Sequence, residues 1–187
     1  EPGYKAWLEA ESRDPIRTRA HLEAAMRLFG RLGITSVGDN TWYPWHLHAI
    51  DQLAREGELT VRVSSWSRGD VSDLQEPFDA HEYQGRWHRR GLSKFFLDGA
   101  FSSYTAWLLE PYANRPETRG SGMESEAIER FLEAKTKVGQ QTASHAIGDA
   151  ATAAYVKAAA AVAKRHELAP LHHRIEHGQL IQSSDIQ

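Results

Sequence analysis

Ser144-His145-Ala146-Ile147-Gly148-Asp149 and Arg174-Ile175-Glu176-His177-Gly178 are the two stretches from which the architecture can be read. Each is a short apolar run ending on a histidine, followed by a turn and a segment of helical character. Two imidazoles at the carboxyl ends of consecutive strands point to a metal site at the mouth of a β/α barrel. Neutral imidazole suits zinc, iron or nickel. Either histidine alone would read as a hydrogen-bonded structural residue. Their common level on adjacent strands makes them a candidate pair.

Outward from this pair the same alternation repeats. Asp14-Pro15 opens a helix, with Asp14 as N-cap and Pro15 at the first helical position. Ile16, Ala20, Ala24, Leu28 and Leu32 supply its apolar face, and Gly33 its stop. Residues 34–37 form a β-branched strand. A second helix over 46–56 turns Leu47, Ile50, Leu53 and Ala54 inward and ends at Gly57. Strands over 59–65 and 92–97 flank a polar, aromatic, partly helical segment, 70–90. Residues 98–123 are rich in Gly, Pro, Ser and Tyr and form a long loop of the kind that carries function. A helix over 124–138, a strand over 141–145, a helix over 149–165 with Asp149 as N-cap, and a strand over 172–177 complete the series.

Five strands alternating with helices imply a parallel sheet with right-handed crossovers. The expected fold is α/β, a partial TIM (β/α)8 barrel of about five parallel strands. No linker divides the chain, so 1–187 reads as a single barrel-domain fragment with a lead-in segment, 1–13, and an active-site loop, 98–123. Glu1 stands first and Ser183-Ser184-Asp185-Ile186-Gln187 resembles the start of a helix. Both ends are therefore expected to continue into something longer.

Composition narrows the function classes. The 187 residues carry a net charge of −3, with a pI of 6.4 and scattered basic groups. Neither nucleic acid nor an anionic membrane is indicated as a partner. The absence of cysteine excludes disulfides, thiolate zinc sites and a cysteine nucleophile, and fits a reducing, cytoplasmic setting. No run approaches the ~18 apolar residues of a membrane span, and no secretory signal is visible.

Lys94 lies within the apolar run Ser93-Lys94-Phe95-Phe96-Leu97-Asp98-Gly99. A charge there is costly unless partnered. It reads either as a strand-end lysine that snorkels to water, or as a lysine carboxylated by carbon dioxide. The latter needs a neutral amine, which burial promotes. His46-Leu47-His48 opens a helix, so its side chains diverge and it reads as surface or capping. His172-His173 points to opposite faces of a strand, leaving one exposed. In the last strand His177 should share a side with Ile175, which places Arg174 and Glu176 on the helix side as a structural ion pair. No phosphate loop, GxSxG elbow or HExxH motif is present.

Together, Gly33-Ile34-Thr35-Ser36-Val37-Gly38-Asp39, Lys94-Phe95-Phe96-Leu97-Asp98-Gly99, Thr105-Ala106-Trp107-Leu108-Leu109-Glu110-Pro111-Tyr112, His145-Ala146-Ile147-Gly148-Asp149 and Arg174-Ile175-Glu176-His177 resemble the amidohydrolase superfamily. The nearest branch is amidohydrolase family 3, which includes N-substituted formamide deformylase-like proteins. The resemblance implies a metal-dependent hydrolase on a TIM barrel, covering barrel strands two to six. Lys94, as a bridging carbamate, and His145 and His177 are then metal ligands and catalytic residues, with zinc the expected divalent metal, or no metal in the fragment alone. The implied reaction is hydrolysis of a C–N bond in an amide or N-formyl substrate by metal-bound hydroxide. Asp98, Trp66 and Tyr104 are candidate substrate-pocket residues. The family's strand-one HxH pair and strand-eight aspartate have no counterpart here; His46 and His48 follow the strand matching strand two. The expected partners are a small-molecule substrate and missing barrel segments or a second chain, with a homo-oligomer also open. Rival readings are a non-catalytic remnant without metal and a doubly wound small-molecule-binding domain, which would show a reversal in strand order.

Overall fold

The computed structural model describes residues 13–40, 44–68 and 85–186. The first helix, α1 (Pro15–Arg31), begins where its cap dictates. Oδ1 of Asp14 accepts from the backbone N–H of Ile16 at 2.9 Å and of Arg17 at 3.3 Å. Pro15 lacks the N–H that would otherwise need a partner. The buried face is not the expected one. Ile16 and Leu32 are 79% and 65% exposed, whereas Thr18 and Met26 are buried and Leu22 and Phe29 pack beside the core. Steps of four residues overshoot a full helical turn by about 40°, so a strict four-residue series winds from core to water.

β1 (Ser36–Asn40), α2 (Pro44–Arg55), β2 (Arg62–Arg68) and β3 (His88–Phe96) follow. β1 and β2 lie later than the expected 34–37 and 59–65, because they pair in register from Ser36↔Arg62 to Asn40↔Trp66. β3 starts at His88 rather than at Leu92. Residues 70–84 of the segment read as partly helical, and 1–12 of the lead-in, lie outside the described residues. Then come α3 (Ser125–Lys137), β4 (Thr142–Ala146), α4 (Asp149–Ala163) and β5 (Arg174–His177). Gly148, not Asp149, occupies the N-cap position of α4. The Asp149 carboxylate instead accepts from the N–H of Leu109 at 2.9 Å and from Gln182 Nε2 at 2.8 Å. The expected helix start near 183–187 is a short 3₁₀ turn, Ser183–Asp185.

The sheet order is β1-β2-β3-β4-β5. The pairs β1–β2, β3–β4 and β4–β5 are parallel. A sequential parallel order is that of a β/α barrel wall. The reversal demanded by a doubly wound sheet is absent among the described strands.

The described residues form two compact units, 13–68 with 85–91, and 92–186. In the first, Met26, Ile50, Leu53, Leu59, Val61 and Val63 make the core, as the periodicity of α2 anticipates. Buried His88 places Nε2 3.0 Å from Ser65 Oγ and Nδ1 3.6 Å from Asp51, joining α2 to the sheet through polar contacts. In the second unit Phe95, Leu97, Phe131, Ala146, Ala151 and Val162 are among the core residues. Phe95 and Phe131 meet ring to ring at 4.0 Å. The small side chains of α4 let it lie close against the sheet and α3, and five of its alanines are buried or pack on this core.

His173 ties three elements of this unit together. Thr136 Oγ1 donates to Leu132 O, so it accepts from His173 Nε2 at 3.1 Å. His173 Nδ1 accepts from the N–H of Thr142 at 3.0 Å. The ring is therefore neutral, and burial holds its pKa below the ordinary value. Its neighbour His172 is exposed. No described helix is long and apolar enough to cross a membrane.

Candidate metal centre

Strand alternation sorts the side chains of the second unit. Phe95 points into the core beneath the helices, so Lys94 and Phe96 point to the opposite face. β4 pairs Lys94 with Ala143 and Phe96 with His145, placing His145 on that face and Ala146 in the core. β5 pairs His145 with Glu176 and Ala143 with Arg174. Ile175 packs against the core, which puts Arg174 and Glu176 on the face of Lys94 and His145.

The expected parity of β5 is thus reversed. Arg174 and Glu176 do form an ion pair, with Nε 2.5 Å from Oε1. It lies on the candidate-site face, not behind the sheet, because burial of Ile175 sets the alternation. By that alternation His177, registered with Ala146, would turn toward the helices. It does not, because its backbone takes the left-handed conformation, φ 76°. The two imidazoles meet at 4.6 Å between centroids, 71° apart. The Phe96 ring lies 5.2 Å from that of His145 on the other side.

Lys94 is 5% exposed and its Nζ has no hydrogen-bond partner. The Phe96 ring lies 5.0 Å from it, a weak cation–π contact. Burial pushes the amine down to about 8; the Glu176 carboxylate opposes this and the Arg174 guanidinium adds to it. Burial also lowers the His177 pKa, with the nearby His145 and Lys94 contributing and Glu176 and Asp98 opposing.

The loop at 98–123 is folded on itself. The N–H of Leu108 donates to Arg119 O at 2.8 Å, and that of Met123 to Leu97 O at 2.8 Å. Within it Tyr104 accepts from Asn114 Nδ2 at 2.9 Å, stacks under Arg115 at 4.3 Å and meets the edge of Tyr112 at 5.2 Å. The Asp98 carboxyl oxygens accept from three backbone amides, those of Trp107, Ile147 and Gly148. Trp66 belongs to the first unit, where its indole lies over Gly38 of β1 and beside Gly91 of β3; a side chain at Gly38 would collide with it.

Lys94, His145 and His177 are therefore brought to one face of one unit. Asp98 borders it through His145. Glu176 was not foreseen there; the signal was the parity of Ile175 with core-facing Phe95. Among the described residues no group of three or more His, Cys, Asp or Glu is placed to hold a metal. Two imidazoles and a buried, unpaired amine nevertheless fit a divalent cation.

The sequence profile of the amidohydrolase family matches residues 5–187. The chain is 28% identical over 142 residues to "Putative amidohydrolase YtcJ" of Bacillus subtilis (strain 168), covering 75% of this chain and 26% of that protein. It is 32% identical over 122 residues to "Protein LONG AFTER FAR-RED 3" of Arabidopsis thaliana, covering 65% and 20%. Among solved structures, an uncharacterized metal-dependent hydrolase from Pyrococcus furiosus superposes with a TM-score of 0.81 at 27% identity, over 100% of this chain and 39% of that one. Another, from Pyrococcus horikoshii OT3, gives 0.77 at 28% identity, over 92% and 34%. The chain thus spans about a quarter or less of the curated relatives it matches.

Proposed function

The chain belongs to the amidohydrolase family, and from that premise we propose that it carries the Lys94–His145–His177 part of a divalent-metal hydrolase centre. The whole protein would cleave a C–N bond of the amide or N-formyl type, as in the N-substituted formamide deformylase-like branch. The observation that carries this reading is the buried Nζ of Lys94, which has no hydrogen-bond partner and shares a face with two converging imidazoles.

A bound divalent cation, zinc by preference, would polarise the scissile carbonyl and acidify water. The chain's own residues prepare that site. With its pKa near 8, roughly one Lys94 in ten is neutral at pH 7, several-hundred-fold more than for an exposed amine. The neutral Nζ can then add to carbon dioxide. An N–C bond forms, a C–O π pair moves onto oxygen, and one N–H proton leaves to solvent. The resulting carboxylate supplies two oxygen donors. His145 and His177 would supply nitrogen donors, with the Phe96 ring 5.2 Å from that of His145. Glu176, on the same face, holds Arg174 in an ion pair.

The remaining donors of the family site are proposed to come from other segments or a second chain, together with the small-molecule substrate's own contacts. Asp98 and Tyr104 are engaged within the fold, so their bearing on the substrate is through the shape of the 98–123 loop.

Metal content and amide-hydrolysis kinetics of the intact protein and its Lys94→Ala, His145→Ala and His177→Ala variants test this reading. Loss of both metal and turnover in folded variants is expected. Unchanged metal content and turnover would reject it, leaving a non-catalytic α/β fragment.

A further inference from the structure

Asp98 follows β3 by two residues, and its side chain is wholly buried. A carboxylate in that position needs donors to replace the water it has lost. It has three. The N–H of Trp107 donates to Oδ2 at 3.0 Å, that of Gly148 to Oδ2 at 2.8 Å, and that of Ile147 to Oδ1 at 3.0 Å. The carboxylate therefore clamps the loop after β3 to the turn between β4 and α4, the turn that follows His145 directly.

The same dipeptide grips the imidazole. His145 Nε2 lies 2.8 Å from the carbonyl oxygen of Gly99 and 3.6 Å from Asp98 Oδ1. A carbonyl oxygen can only accept, so Nε2 carries a proton. In the neutral ring the lone pair then resides on Nδ1. The negative charge of Asp98 beside Nε2 favours the same proton position.

We infer that Asp98 is a positioning residue: with the Gly99 carbonyl it holds His145 as the Nε2–H tautomer and leaves Nδ1 as the ring's donor to a cation. The functional meaning rests on His145 being a metal ligand, as proposed above; the tautomer does not. Partners of this kind typically change metal affinity by about 10–100-fold when removed.

The test is long-range ¹H–¹⁵N NMR of the intact, metal-free protein labelled at histidine, with His145 assigned through His145→Gln, alongside zinc titrations. Wild type is expected to show Nε2–H. Asp98→Asn, which keeps the shape but removes the charge and turns one of the two accepting oxygens into an NH2 donor, is expected to move population toward Nδ1–H and to weaken zinc binding about 10–100-fold, with circular dichroism unchanged. A wild-type ring protonated at Nδ1 overturns the inference. So does a folded Asp98→Asn with the wild-type tautomer and zinc affinity. If Asp98→Asn does not fold, Asp98→Glu, which keeps the charge but displaces it, is read by the same criteria. If neither folds, Asp98 has a purely structural role and the inference fails. A wild type that binds no zinc would sink the metal reading alone, and the tautomer comparison would still decide the role of Asp98.

Discussion

His177 lies 4.6 Å from His145, ring to ring, although the strand register pairs His145 with Glu176. The left-handed backbone of His177, φ 76°, is what brings the rings together. Asparagine tolerates that conformation, whereas a β-branched residue does not. His177→Val is therefore expected to be less stable than His177→Asn by about 1–3 kcal/mol in urea denaturation. Equal midpoints would mean that the backbone is not held in this conformation.

Lys94 should make stability rise with pH in an alkaline window. Its folded-state pKa, about 8, lies below the 10.5 of an exposed amine. Between these values the unfolded chain binds the additional proton, so stability increases as pH rises through the window. Below about pH 8 the burial cost is fully present, on the order of 3 kcal/mol. Lys94→Met should be more stable than wild type at pH 7, with the gain shrinking toward pH 10.5. Thermal melts at several pH values check this; a gain independent of pH contradicts it.

His173 should contribute to loss of stability in acid. Its ring accepts from the N–H of Thr142, and burial holds its pKa below 6.5. The unfolded chain therefore takes up the proton first as pH falls below about 6.5. Stability contributed by the neutral ring is lost from there down through the folded pKa. His173→Gln removes the titration and retains an acceptor, so its melting temperature should fall less than wild type between pH 7 and 5. Parallel profiles would show that the ring does not act this way.

Gly148 admits no side chain, because a Cβ would collide with the backbone carbonyl of Trp107. Gly148→Ala should cost several kcal/mol, on the order of the large losses seen when backbone must shift, and should expose Trp107, read by its fluorescence. Gly30→Ala is the control. Nothing lies within 4 Å of its Cβ position, and α1 should gain about 0.5–1 kcal/mol.

Much of the architecture was legible because its causes are local. The Asp14 cap and Pro15 mark the start of α1 by groups one to three residues apart. The apolar periodicity of α2 places Ile50 and Leu53 in the core, where they lie. Strand ends were shifted by a few residues because pairing partners, not composition, terminate a strand. The inward face of α1 differs from the one its four-residue spacing suggests for a related reason. Several of its spacings look amphipathic, and only the surface it packs against selects among them.

Among the described residues, the amino-acid order alone determined the order of the α-helices and β-strands, and which amine and imidazoles were worth watching, because propensity, capping and periodicity act over a few residues. Tertiary structure decided which way they face. Ile175 entering the core sets the parity of β5 and turns Glu176 to the side of Lys94. Asp98 meets amides 9, 49 and 50 residues away. Those are contacts between segments that only the folded chain brings within hydrogen-bond range, and burial, a property of the whole, is what lowers the Lys94 amine.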